Sequence, residues 1–106
     1  MSAVVVFCTT GSKEEAESIA ADLVKSKTAA CCNILSGINS IYFWEGEVCN
    51  DSEYLLIIKT SQDALEMVTR RIGELHSYDL PEIIAMPIIG GSDEYIKWVE
   101  NNSGGE

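Results

Sequence analysis

The 106-residue chain is poor in positive charge. Seven lysines and arginines stand against seventeen aspartates and glutamates, a formal net charge of −10. Nucleic acid is held by neutralising phosphates and anionic membranes by basic clusters, so neither is an expected partner. There is one histidine, His76, and there are two prolines, Pro81 and Pro87. The four cysteines, Cys8, Cys31, Cys32 and Cys49, contain no C-x-x-C pair, which excludes zinc-ribbon and thioredoxin-type motifs. Cys31 and Cys32 are adjacent, awkward for a disulfide framework. No apolar run approaches the ~20 residues of a membrane span. The start, Met1 to Phe7, lacks the basic region and long apolar core of a secretory signal. Together these absences predict a cytoplasmic protein with reduced, free thiols.

What is present suffices for one folded domain over 1–106. Hydrophobic residues make up 46% of the chain, too many for a disordered acidic polymer. Val4 to Cys8 is a β-branched run that reads as a strand buried on both faces. Ser12 and Glu15 have the spacing of a capping box. Ala16, Ile19, Ala20, Leu23 and Val24 then recur at helical spacing. Thr28 to Ile34 reads as a strand, Ser36-Gly37 as a bend, and Ile41 to Trp44 as its resumption. Glu45-Gly46 predicts a tight turn. Cys49 to Ser52 reads as a polar bulge or loop, and Tyr54 to Lys59 as a further apolar strand. Thr60 and Asp63 offer a second capping pair before a helix marked by Leu65, Val68, Ile72 and Leu75. Pro87 places the last strand, Ile83 to Ile89, at an edge or a bulge. Ser92 caps a short terminal helix, and a flexible tail is expected over 103–106.

The order β-α-β-β-α-β plus a helix is that of a ferredoxin-like α+β sandwich, with the first and third strands central and the second and fourth at the edges. Both helices of that fold cover one face of the sheet. The central strands are apolar at consecutive positions, so the second face needs a cover as well. The aromatic hairpin Tyr42-Phe43-Trp44 adds an unblunted edge. A homo-oligomer with inward-facing sheets and paired edges is therefore expected.

Five segments, in order, resemble one family. They are Ala29-Ala30-Cys31-Cys32-Asn33-Ile34, Ser40 to Glu47, Leu56 to Thr60, His76 to Ile83, and Tyr95-Ile96-Lys97-Trp98. They resemble its A-A-C-x-N, S-x-Y-x-W-x-G, L-x-x-K-T, H-P-Y-x-x-P-E and Y-x-x-W motifs, and the family is CutA, the divalent-cation tolerance proteins. The resemblance implies a subunit similar to the PII signalling proteins, a homotrimer, and a role in tolerance to copper and other divalent metals. It also implies copper binding, as in bacterial members, through a cysteine matched by Cys8 and a histidine pair. Only the second histidine of that pair is present, as His76. Leu75 stands in place of the first, and Ser77 replaces the proline that follows.

A thiolate and an imidazole suit copper or zinc, and Asp79 or Glu82 could add oxygen ligands. Cys8 and His76 are the candidate metal ligands, with copper or another divalent cation as the ion and no organic cofactor. The competing reading makes Cys8 a core residue and His76 a helix-end residue. Cys31 and Cys32 are read as packing residues, and Cys49 as the exposed, oxidisable cysteine. A Cys8–His76 nucleophile–base dyad would lack an orienting third group, so no enzyme is expected. The motif segments also predict a small-ligand cleft at a subunit boundary. Lys59 would be its donor, Glu82 its acceptor, and Trp44 and Tyr78 its stacking surfaces. Alternatively, Lys59 and Glu82 form a structural ion pair. Three functions follow: a copper-binding tolerance protein, a PII-like binding module, or a scaffold whose duty is assembly.

Overall fold

In the computed structural model, which describes residues 2–104, apolar periodicity becomes four strands and three helices. The strands are β1 (Ala3–Thr10), β2 (Cys31–Trp44), β3 (Glu47–Ser61) and β4 (Ile84–Pro87). The helices are α1 (Lys13–Lys25), α2 (Leu65–Leu75) and α3 (Asp93–Asn101). The sheet order is β2-β3-β1-β4, every neighbouring pair antiparallel, with β1 and β3 central as the apolar runs require. This is the ferredoxin-like α+β arrangement.

Strand alternation divides the side chains between two faces. Val4, Val6 and Cys8 of β1 and Leu56 and Ile58 of β3 join Ile19 and Leu23 of α1 and Val68 and Ile72 of α2 in one buried core. The opposite face carries Val5, Phe7 and Thr9, which pair with Lys59, Ile57 and Leu55. Helix α3 packs against β3 and β1 but does not cover the whole of that face. Leu35, Ile84 and Met86 stay 42%, 53% and 44% exposed there. The uncovered apolar face expected from β1 and β3 is thus present.

Local chemistry departs from the sequence reading at several places. Ser12 does cap α1, its hydroxyl accepting from the Glu15 N–H at 3.1 Å. The Glu15 carboxylate does not return to Ser12, however. It accepts from the Ser77 N–H at 2.6 Å and the Ser77 hydroxyl at 3.2 Å. Thr60 caps nothing, because its hydroxyl donates to the Thr28 carbonyl at 2.7 Å. A single 3₁₀ turn, Gln62–Ala64, opens α2 instead. β2 begins later than expected, since the Thr28 and Ala29 N–H groups are spent closing α1 on the Leu23 carbonyl. Ser92 caps α3 through the Tyr95 N–H. Of the tail expected over 103–106, residues 105–106 lie outside the described residues, while the Ser103 hydroxyl donates to the Val99 carbonyl at 2.7 Å.

The largest difference concerns Cys49 to Ser52, which is neither bulge nor loop. These residues pair with Tyr42, Ile41, Ser40 and Asn39 in turn, as regular β3. A hairpin arm with solvent on both sides tolerates polar residues that a core strand would not. Glu45 and Gly46 turn it, both at positive φ (49° and 84°), the pattern of a type I′ hairpin turn. The molecule measures 44 × 25 × 21 Å.

Candidate functional site

The irregularity in the sheet lies in β2. Leu35 opposes Leu55 and Ile38 opposes Glu53, so Ser36 and Gly37 together stand across from Tyr54. Gly37 sits at φ +77°, open to glycine at little cost. This extra residue is a β-bulge, and it inverts the alternation of everything beyond it. Ser40, Tyr42 and Trp44 now share a face with Glu53 and Asp51. In an unbulged ladder Asn39, Ile41 and Phe43 would take their place. The bulge also turns Phe43 to the other side of the arm, opposite Val48 of β3, where the two are 71% and 72% exposed.

The second wall comes from the segment between α2 and β4. His76 ends α2, and its N–H closes the helix on the Ile72 carbonyl. The ring is buried. Its Nε2 donates to the Thr9 carbonyl at 2.7 Å, and its Nδ1 accepts the Tyr78 N–H at 3.1 Å. Because a carbonyl only accepts and an N–H only donates, the imidazole is the neutral Nε2-protonated form. Tyr78 is then held at three points. Its backbone is on His76, its ring lies 4.6 Å from the imidazole, and its hydroxyl donates to Glu53 at 2.6 Å. Gly11 leaves room for this hydroxyl, since a Cβ there would stand 3.1 Å from it. Burial, with the Glu53 hydrogen bond second, raises the Tyr78 pKa and keeps the phenol a donor.

Between the hairpin arm and this segment opens a cleft of about 560 Å³. Its walls include Tyr42, Trp44 and Tyr78, and its carboxylates are Glu53, Asp79 and Glu82. No lysine, arginine or histidine lines it among the described residues. Glu53 is 7% exposed and its Oε2 is taken by Tyr78. Tyr42 donates to Asp51, and that bond pushes its pKa up to about 12. The volume lies within the range of small-molecule sites, roughly 300–1,000 Å³.

Of the residues expected in a cleft, the structure brings together Trp44, Tyr78 and Glu82. Lys59 is not among its lining residues. It lies on the open sheet face beside Val5 and Cys31 and donates to Asn33. Glu53 was not singled out in sequence, and Tyr42 was read only as part of the aromatic edge, because their placement in the cleft depends on where the bulge falls. The signal available was the pair Ser36-Gly37, a break inside an otherwise regular strand pattern.

The structure also brings Cys8 and His76 together, but as donors to one acceptor. Cys8 Sγ reaches the Thr9 carbonyl at 3.8 Å, beside the His76 bond. A metal needs a thiolate and a free imidazole lone pair. Burial pushes the Cys8 thiol up to about 12, and the nearby Glu82, Glu15 and Glu53 carboxylates add to this. Both His76 nitrogens are engaged. The pair as arranged does not fit a copper ion, and the same facts deny it a nucleophile–base role. Among the described residues, no group of three or more His, Cys, Asp or Glu side chains is arranged to hold a metal ion. Cys32 is likewise pushed up to about 12 by burial, with Cys31 adding to it. Cys49 faces Tyr42 across the arm and is half-buried, not free-standing. No helix is long and apolar enough to cross a membrane, among the described residues.

Comparison with known proteins gives a consistent picture. The family model described as CutA1 divalent ion tolerance protein matches residues 4–102. The chain is 49% identical over 100 residues to the chloroplastic protein CutA of Arabidopsis thaliana, covering 94% of this chain and 55% of that protein. It thus spans about half the length of that plant relative. It is 46% identical over 100 residues to the divalent-cation tolerance protein CutA of Thermus thermophilus, covering 94% of this chain and 97% of the other. The solved structure of the divalent cation tolerance protein from Thermus thermophilus superposes with a TM-score of 0.94 at 45% identity, covering 96% and 99% of the two chains. Crystalline CutA1 from Oryza sativa gives 0.95 at 42% identity, covering 98% and 95%.

Proposed function

The chain belongs to the CutA1 divalent ion tolerance family, and from that membership we propose that it serves divalent-cation tolerance as a homotrimer that binds copper or a similar ion in the acidic cleft. The observation that carries this reading is the sign of the cleft: three carboxylates and no basic side chain among the described residues. Such a lining concentrates cations. Glu53, Asp79 and Glu82 are not arranged to ligate one ion as a set, so they would draw a hydrated ion by their charge, and neighbouring subunits would complete its coordination. The trimer is supported by the uncovered face with Leu35, Ile84 and Met86 and by the exposed Phe43 and Val48 of the arm. Large apolar patches of this kind mark interfaces. No catalytic residue is assigned, and the reduced thiols fit a cytoplasmic setting.

The test is a calorimetric titration of Cu(II) and of Zn(II) into the wild type, Glu53→Gln, Glu82→Gln, Cys8→Ser and His76→Ala. The cleft reading expects weaker binding in the two glutamate variants, unchanged binding in Cys8→Ser, and in His76→Ala, which frees Tyr78, a smaller loss than in Glu53→Gln. The opposite pattern would move the ion to the thiol and imidazole. Light scattering gives the assembly, and a mass near 11.6 kDa would contradict the homotrimer.

A further inference from the structure

The cleft has a second property that a metal ion does not use. Three aromatic side chains, Tyr42, Trp44 and Tyr78, line the same space as Glu53, Asp79 and Glu82. They are 40%, 42% and 37% exposed, so their surfaces are half open although each is large and apolar. A hydrated divalent ion gains little from such walls, because its hydration shell keeps the charge away from them. An organic cation gains from both parts. The π face of an aromatic ring attracts an alkylated ammonium, tryptophan most strongly. A buried carboxylate supplies the counter-charge.

We propose that the cleft binds an organic ammonium ion, with Tyr42, Trp44 and Tyr78 as its aromatic walls and Glu53 as its anion. This rests on the acidic sign of the cleft used above and assigns the class of ligand that fits the rest of it. Three observations converge. The bulge at Ser36-Gly37 is what puts Tyr42 and Trp44 on the Glu53 face. The Tyr78 hydroxyl holds Glu53 Oε2, fixing the carboxylate and leaving Oε1 without a hydrogen bond among the described residues. Lys59, the basic residue that a site for anions would use, is engaged by Asn33 away from the cleft. An anionic metabolite or nucleotide meets three carboxylates there and no basic side chain among the described residues, and is disfavoured. A neutral aromatic could stack but leaves the Glu53 charge unanswered, at the cost of desolvating it.

The experiment uses the assembled protein as purified. A Trp98→Phe background leaves Trp44 as the sole tryptophan. Choline is titrated against its uncharged isostere, in which carbon replaces the quaternary nitrogen, by calorimetry and Trp44 fluorescence. Trp44 is then replaced by singly, doubly and triply fluorinated tryptophan, which weakens the ring quadrupole with little change of shape. Choline should bind and its isostere should not. Affinity should fall stepwise with fluorination, and Trp44→Ala should cost about five- to tenfold. Glu53→Gln should cost about tenfold. Equal binding of choline and isostere, no choline binding, or affinity indifferent to fluorination would each overturn the proposal. Zn(II) titrated into the same samples separates the two readings. Retained Zn(II) binding without choline binding defeats the ammonium assignment alone, and loss of both defeats the acidic cleft itself.

Discussion

Cys8 and Thr9 are neighbours on β1, yet they belong to two regions of opposite character. Cys8 faces the helices in a packed core, its thiol held protonated and His76 beside it with both nitrogens bonded. Thr9 faces the other way, onto an open cleft with three carboxylates and three aromatic side chains. By residue type the first region is the better metal site. By accessibility and free lone pairs the second is the better site for any cation. Suitable side chains bind nothing when their donor and acceptor capacity is already spent inside the fold.

The sharpest way to break this contrast is to move one region and not the other. Deleting Gly37 removes the extra residue of the bulge. Ser40, Tyr42 and Trp44 then leave the Glu53 face, and cleft binding should fall by about a hundredfold or more. The β1–α1–α2 core should keep its stability, as urea unfolding would show. Retained binding would mean that the bulge does not build the cleft.

His76→Ala acts on the other region. It removes the shorter of the Thr9 carbonyl's two side-chain hydrogen bonds, orphans the Tyr78 N–H and leaves a hole, so about 2–4 kcal/mol of stability should be lost. If cation affinity fell with no change in urea midpoint, His76 would be a ligand and not a strut. Smaller again is Glu53→Gln, about a tenfold loss of cleft affinity. It should shift the urea midpoint little, since the amide oxygen still accepts from Tyr78.

Alkaline titration gives a fourth check. The thiols of Cys8 and Cys32 rise from 9.0 to about 12 on folding. A group raised in the folded state contributes stability that is complete below its unfolded pKa and lost as pH climbs through the folded value. Stability should therefore decline from about pH 9 towards 12, and Cys8→Ala should blunt that decline, read as the pH midpoint of unfolding by circular dichroism. Native Cys8 should also resist alkylation at pH 8, and rapid labelling of the folded protein would contradict its place in the core.

Much of the fold was legible because apolar runs and caps are local signals. Val4 to Cys8, the α1 spacing, the Ser12 and Ser92 caps and the Glu45-Gly46 turn all appear where the sequence placed them. The uncovered sheet face was legible for the same reason. Cys49 to Ser52 misled because polarity reads as a break, whereas an arm exposed on both sides carries polar residues as regular strand. The site was less legible. Trp44, Tyr78 and Glu82 came from motif segments, but Glu53 and Tyr42 depend on a register shift that only pairing across the hairpin reveals. Lys59 has the right chemistry for a cleft and the wrong position on the sheet. Cys8 and His76 are close together, and only the burial that keeps the thiol protonated and the two hydrogen bonds of the imidazole show that neither is free to ligate.

The most direct test of where a cation goes is an anomalous difference map from crystals of the assembled protein soaked in Cu(II). The account predicts a peak within the acidic cleft, on its carboxylate lining, with the His76 bonds to Thr9 and Tyr78 intact. A peak between Cys8 and His76, with the imidazole turned away from Thr9, would contradict it.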